Sequence, residues 1–410
     1  MANKLFLVLV SLVACGGGGD DEEPPPDVAP PVCDVAGDRF DPVAARGFTN
    51  DQFAALGAGR TGRAGHGTVQ ANSERRYVSA AGGDDANDGS EGAPWRTLQH
   101  AADTVVPGTT VLVDASGDYA GGLEILRGGE PGAYVIFTGR DDAAMPRIVG
   151  DASTDSVVYI DASYVVFQGF EIADHRRASL TQDSIGIQIE AGSAHISHIE
   201  IRNNVVHDIG PGQLEQDSCY YNGHGVIAQS EGHRISNLIV DGNELHDMYV
   251  GHSEVLVLNG DIDGFCVTSN YIHDVDNIAI DIIGYEKNDR ETTRRGVVAD
   301  NVVLDASNYW PYCTRGNCAY PAGDESSDGI YVDGGAEMVI EYNVVGRADH
   351  GIELQSENGM LIRDVEVRLN VVFNSNYRHF TLGPNDGSFE HDNQFFDDPA
   401  LADPELEACR

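Results

Sequence analysis

The feature that most constrains this chain is an Asn that recurs behind a strand-like run. It stands at Asn204, Asn243, Asn270, Asn301, Asn343 and Asn370, in segments such as Ile201-Arg-Asn-Asn204-Val-Val206 and Val298-Ala-Asp-Asn301-Val-Val303. The steps between them are 39, 27, 31, 42 and 27 residues. A fixed strand pattern with a variable step means constant coils carrying loops of different length. Stacked coils with backbones about 4.8 Å apart let each Asn hydrogen-bond to the next, which explains why the residue returns.

A second strand pattern accompanies the first. Asn277–Gly284, Asp328–Gly335 and His350–Glu357 each place an aliphatic residue at alternate positions, the period of a strand with one buried face. The same template occurs at Gly186–Glu190, Gly225–Gln229 and Glu254–Leu258. Aligning Ile280, Ile330 and Ile352 puts Ile280/Ile282, Ile330/Val332 and Ile352/Leu354 on the buried face. Asp281/Ile283, Tyr331/Asp333 and Glu353/Gln355 then share the outer one. The expected fold is all-β, a right-handed parallel β-helix over residues 76–376 with a short N-terminal capping helix. That helix is predicted from Trp95, Leu98, Ala101, Ala102 and Val105, with Pro94 in its first turn.

The flanks read differently. Residues 1–14 carry one charge, Lys4, before an apolar run too short to span a membrane, as in a secretory signal. Leu12-Val-Ala-Cys15 resembles the lipobox of bacterial lipoproteins, which implies acylation of Cys15 and anchoring to the outer membrane, facing the periplasm or the outside. Residues 15–32, Gly-rich and then acidic, suit a flexible tether. Residues 33–75 show no firm period and read as an irregular lead-in; residues 377–410 read as a capping tail. Without residues 1–14 the balance is 24 basic against 66 acidic side chains, a charge of −42 that excludes nucleic acid as a partner. Six Cys follow Cys15, an even number that favours disulfides in an exported chain, with Cys313 and Cys318 expected to close a local loop. A monomer is expected.

Tyr77-Val-Ser, Asn87-Asp-Gly-Ser90, Pro94-Trp-Arg-Thr-Leu98 and the Asn-ended strands together resemble the pectin-lyase-like superfamily of right-handed parallel β-helices. The resemblance covers roughly residues 76 to 375. It implies secreted or surface proteins that mostly cleave polysaccharides, many of the lyases using calcium. It supplies no catalytic set by motif.

The candidate chemistry therefore comes from the outer face. Asp281 and Glu353 lie two coils apart in one column, with Tyr331 between them and Asp333 beside it. Such carboxylates can act as acid and base in glycoside hydrolysis. Alternatively Asp281, Asp333 and Glu353 can hold calcium, with a base drawn from Lys287, Arg290, Arg294 and Arg295 for β-elimination on a uronate-containing glycan. Tyr309, Trp310, Tyr312 and Tyr320, with Tyr331, offer flat faces for sugar rings, and His224 and His350 begin strands of the same repeat. Three classes stay open: a calcium-assisted polysaccharide lyase, which the basic cluster favours; a glycoside hydrolase; and a glycan-binding or adhesin solenoid. His207-Asp208, His246-Asp247 and His273-Asp274 either stack as a metal or proton site or serve as turns.

Overall fold

The structure is a computed structural model that describes residues 33, 39–61, 72–141, 144–151, 153–177, 183–211, 222–230, 232–288, 290–309 and 326–404. The expectations for residues 1–32, including Cys15, and for Trp310, Tyr312, Cys313, Cys318 and Tyr320 fall outside these residues.

Among the described residues the strands form three sheets of 12, 9 and 10 strands, and every pairing of neighbouring strands within them is parallel. A typical coil gives Ile235–Asp241 to the first sheet, Glu244–Met248 to the third and Glu254–Asn259 to the second. Each strand then pairs with its equivalent one coil away, so the inward aliphatic columns merge into one continuous apolar core from Val78 to Val372. The register expected at the second sheet holds: Ile280 faces Ile330 and Ile330 faces Ile352, with Asp281, Tyr331 and Glu353 in the adjoining column.

The Asn residues occupy the corner between the first and third sheets. All six are buried. The backbone N–H and side-chain amide of Asn243 both donate to Asn270 Oδ1 at 3.0 Å, and the pattern repeats at the other steps. A polar ladder inside an apolar corner is stable because almost every donor and acceptor is satisfied within it. Asn393 adds a further rung, accepting from the Asn370 N–H at 2.9 Å. The coils accordingly run past residue 376, with strands Arg378–Leu382 and Gln394–Phe396 completing another turn.

The helix at the open end is Leu98–Thr104, capped by the Thr97 side chain. It begins after Pro94 because Trp95 pairs with Val78 as a bridge instead. The histidines stack as imidazoles 4.9 and 5.0 Å apart, and each bonds through Nδ1 to the Asp that follows it. Those Asp residues have positive φ, near 52–56°, so the pair is a turn device that recurs at His391-Asp392.

The described part of the lead-in, Cys33 and residues 39–61, is more ordered than its composition suggests. Thr49 and Gln52 form a capping box for the helix Asn50–Ala58, whose Phe53 stacks on Phe373 at 4.6 Å. A disulfide joins Cys33 to Cys266, Arg39 pairs with Glu341, and Arg46 bonds to Gln394. Cys33 and residues 39–61 thus lie along the outside of the later coils.

Candidate functional site

The site is built on the outer face of the second sheet, where strands Gly223–Ser230, Glu254–Asn259, Ile278–Ile283, Asp328–Asp333 and His350–Gln355 lie side by side. Gly225, Gly329 and Gly351 shape it. A Cβ on Gly329 or Gly351 would run into Val345 or Val372, which belong to the core. The glycine therefore turns inward next to an inward aliphatic, and the residue before it stays on the outer face. Asp328 and His350, in register with each other, consequently share a face with Glu353. Glu254 and His224 occupy the same column two and three coils before Asp328.

The carboxylates were expected on an exposed face, and that is corrected. Asp281 is 2 % exposed, Tyr331 6 % and Asp333 7 %. Two turns roof them. The Gly284 N–H donates to Asp333 O at 2.7 Å, and Thr292 Oγ1 donates to Gly334 O at 2.8 Å. The Glu357 N–H donates to Asp333 Oδ1 at 2.7 Å, and the Asn358 amide reaches back to Gly284 O.

Burial and crowding raise the pKa values of these carboxyl groups. Desolvation, then the charges of Glu254, Asp333 and Asp328, raise Asp281 well above the usual carboxylate range. Desolvation, then Glu353 and Asp349, do the same to Asp328. Asp333 rises to about 7, mainly by burial; the Glu357 N–H opposes this, and the charges of Glu357 and Glu286 add to it. Glu254 rises to about 8 through burial and the charges of Glu286 and Asp333. Burial lowers His224 to about 4, so it is neutral, donating from Nδ1 to Glu254 O at 2.9 Å.

The remaining predicted residues divide. Lys287 and Arg290 lie exposed on the roofing turn, with Lys287 Nζ donating to Ser230 O at 3.2 Å. Arg294 and Arg295 are not at this site. They begin a strand of the first sheet, where both pair with Asp263 and Arg294 also pairs with Asp261. Consecutive cationic residues were thus separated by the corner between sheets. Tyr309 is 8 % exposed and offers no open ring face. The exposed aromatic here is one that no sequence pattern marked. Tyr377, 54 % exposed, lies 4.9 Å from the His350 ring, and the Arg378 guanidinium covers it at 5.0 Å. Arg378 is in register with His350 and so continues the column of His224, Glu254 and Asp328.

Calcium takes six to eight oxygen ligands. Among the described residues, Asp281, Asp333 and Glu353 do not come together as a ligand set, because Tyr331 separates Asp281 from Glu353 and Asp333 Oδ1 is held by Glu357. The trio whose ligand atoms lie within 4.8 Å of one another is Asp328, His350 and Glu353, one of which is a nitrogen donor. The expected calcium set does not fit this site.

Against known proteins, the chain is 33 % identical over 319 residues to uncharacterized protein YwoF of Bacillus subtilis (strain 168), an alignment covering 75 % of this chain and 64 % of that one. The chain therefore spans less than two thirds of that relative. Among solved structures it is similar to a GH136 lacto-N-biosidase from Eubacterium ramulus, at 15 % identity and a TM-score of 0.55 over 79 % of this chain and 68 % of the other. It is also similar to an alginate lyase from Paenibacillus sp. str. FPU-7, at 13 % identity and a TM-score of 0.54 over 80 % and 99 %. The fold is the right-handed parallel β-helix. No family model matches the chain. Within this β-helix the coils are shared with those enzymes at low identity, so the chemistry rests on this chain's own residues.

Proposed function

We propose that the chain is a polysaccharide-cleaving enzyme, an inverting glycoside hydrolase with Asp281 and Asp333 as its acid–base pair. The observation that carries this reading is their placement. They sit on adjacent rungs, offset by two residues and flanking Tyr331. One rung and two residues put their backbones about 8 Å apart, a spacing from which the side chains can bring the carboxyl groups to the roughly 6.5–9.5 Å that leaves room for a water between acid and base. Asp281 Oδ1 is buried without a hydrogen-bond partner, and Asp333 keeps Oδ2 beyond its bond to Glu357. Two like charges so close cannot both ionise readily, so one carboxyl keeps a proton while the other is a base.

In the reaction the protonated member gives its proton to the glycosidic oxygen as the bond to the anomeric carbon breaks. The ionised member takes a proton from the water that attacks that carbon from the opposite side. One water is consumed, and proton exchange with solvent resets the pair. Glu353 is placed differently, with its Oε2 at 2.7 Å from His350 Nδ1. Tyr377 supplies a ring face for a sugar near that end of the column. The fold supports the reading because glycan-cleaving proteins named as a lacto-N-biosidase and an alginate lyase are built on it.

Arg378 beside His350 favours a second reading, β-elimination on a uronate whose carboxylate the guanidinium binds. The test is to incubate the purified chain with neutral and uronate polysaccharides, with and without chelator. Reducing ends without absorbance near 235 nm (about where an unsaturated uronate absorbs) support hydrolysis. Absorbance that Arg378→Ala removes supports elimination. Binding without turnover moves the case to a glycan-binding solenoid. The proposal includes export with a lipid at Cys15, which fatty-acid labelling of wild type and Cys15→Ser checks.

A further inference from the structure

We propose that Asp328, His350 and Glu353 form a binding site for one divalent transition-metal ion of the zinc type. The ligand atoms of the three side chains lie within 4.8 Å of one another. Metal–ligand bonds of about 2.0–2.2 Å place the ligands of one ion roughly 3–4.4 Å apart, so small rotations of the side chains close the set. The trio comes from two neighbouring coils: Asp328 and His350 face each other across a rung, and Glu353 follows His350 by three residues.

A buried atom points to the ion independently of the acidic character. Asp328 is 5 % exposed, and its Oδ1 has no hydrogen-bond partner. His350 Nδ1 lies 2.7 Å from Glu353 Oε2, and the Asp328 carboxyl also meets Glu353, yet Asp328 Oδ1 itself has no hydrogen-bond partner. A bound cation answers it. A buried carboxyl oxygen without a hydrogen-bond partner costs free energy that coordination returns.

The surroundings hold the ligands in place. Asp349 is fully buried and accepts from the Ser327 N–H, the Asn308 N–H and Ser307 Oγ. The His350 N–H in turn donates to Ser327 O at 2.8 Å. One carboxylate thus fixes the residue before Asp328 and is itself the residue before His350. Support of this kind around the ligands is what a preformed metal site requires. Gly329 and Gly351 complete it by keeping both ligands on the outer face. One imidazole nitrogen with two carboxylates suits zinc, manganese or iron better than calcium, which prefers oxygen throughout. Three protein ligands leave a coordination position for water or a sugar oxygen.

The test uses the whole chain, stripped with chelator and titrated calorimetrically with Zn²⁺, Mn²⁺ and Ca²⁺ in separate runs. The expected result is one equivalent of Zn²⁺, weakened at least about tenfold in Asp328→Asn and in His350→Gln, and unchanged in Asp333→Asn. Co²⁺ gives a visible absorption band that His350→Gln shifts, reporting the nitrogen ligand. Circular dichroism without metal confirms that the variants fold, and Glu353→Gln serves if His350→Gln does not. No stoichiometric binding overturns the proposal, as does binding undiminished in the ligand variants or binding of Ca²⁺ alone. Because these readouts need no substrate, failure of the hydrolase reading leaves this result standing, and the reverse also holds.

Discussion

Replacing Asp333 by Asn should stabilise the protein, and by an amount that depends on pH in a defined direction. Asp333 rises from 3.8 to about 7 on folding. A raised carboxyl contributes stability fully below its unfolded value and loses it as pH climbs through the folded one. The gap, at about 1.4 kcal/mol per pH unit, is about 4 kcal/mol once Asp333 is ionised. Asn keeps an oxygen to accept the Glu357 N–H and carries no charge to bury. Wild type and variant should therefore unfold alike near pH 4. By pH 8 the variant should be ahead by about 4 kcal/mol, of which about 2–3 kcal/mol accrues above pH 5. Urea titrations at pH 4, 5, 6, 7 and 8, with chelator present, measure this. A difference that is flat with pH, or that favours Asp as pH rises, would show that Asp333 is not a crowded, buried acid, and the proposed pair would lose its physical basis.

Other outcomes follow from the same structure. Asp281→Asn should lower turnover about 10²–10⁴-fold with little change in KM, measured on whichever polysaccharide the panel identifies. Asn270→Ala removes an acceptor from Asn243 and donors to Asn301 and Val240; the cost should be about 3–5 kcal/mol, read from the urea midpoint. Gly351→Ala drives a Cβ against the backbone of His379, so a loss of about 1–3 kcal/mol should accompany weaker zinc binding in calorimetry.

The column of Ile280, Ile330 and Ile352 was legible because strict alternation fixes a register and a slip of one residue would expose the core. The Asn ladder was legible because a polar side chain can be buried at every coil only where its neighbours above and below satisfy it. Asp328 escaped for a related reason. Its neighbour Gly329 turns inward beside Ile330, so two successive residues face the core and the alternating rule assigns Asp328 to the wrong side. The Gly that follows both Asp328 and His350 was the available signal. Burial of Asp281 and Asp333 was hidden because the roof is made by turns around Gly284, Thr292 and Glu357, which strand periodicity does not describe. The Arg294 and Arg295 pairing was hidden too, since Asp263 is 32 residues from Arg295 in sequence yet directly opposite Arg294 across a rung.

Cys33 and the segment 39–61 change how such a stack comes apart. Coils that touch only their neighbours can fray one at a time from either end. Here Arg39 reaches Asp300 and Glu341, Phe53 reaches Phe373, and Arg46 reaches Gln394 and Phe396. The last coils are therefore coupled to a part of the chain made before any coil exists. During synthesis this segment emerges before the coils it straps and is the last to find its place, since its partners are completed only near residue 396. Once it docks and Cys33 joins Cys266, loss of the terminal turn requires release of the strap as well. A stack that would otherwise unwind gradually becomes closer to a single cooperative unit.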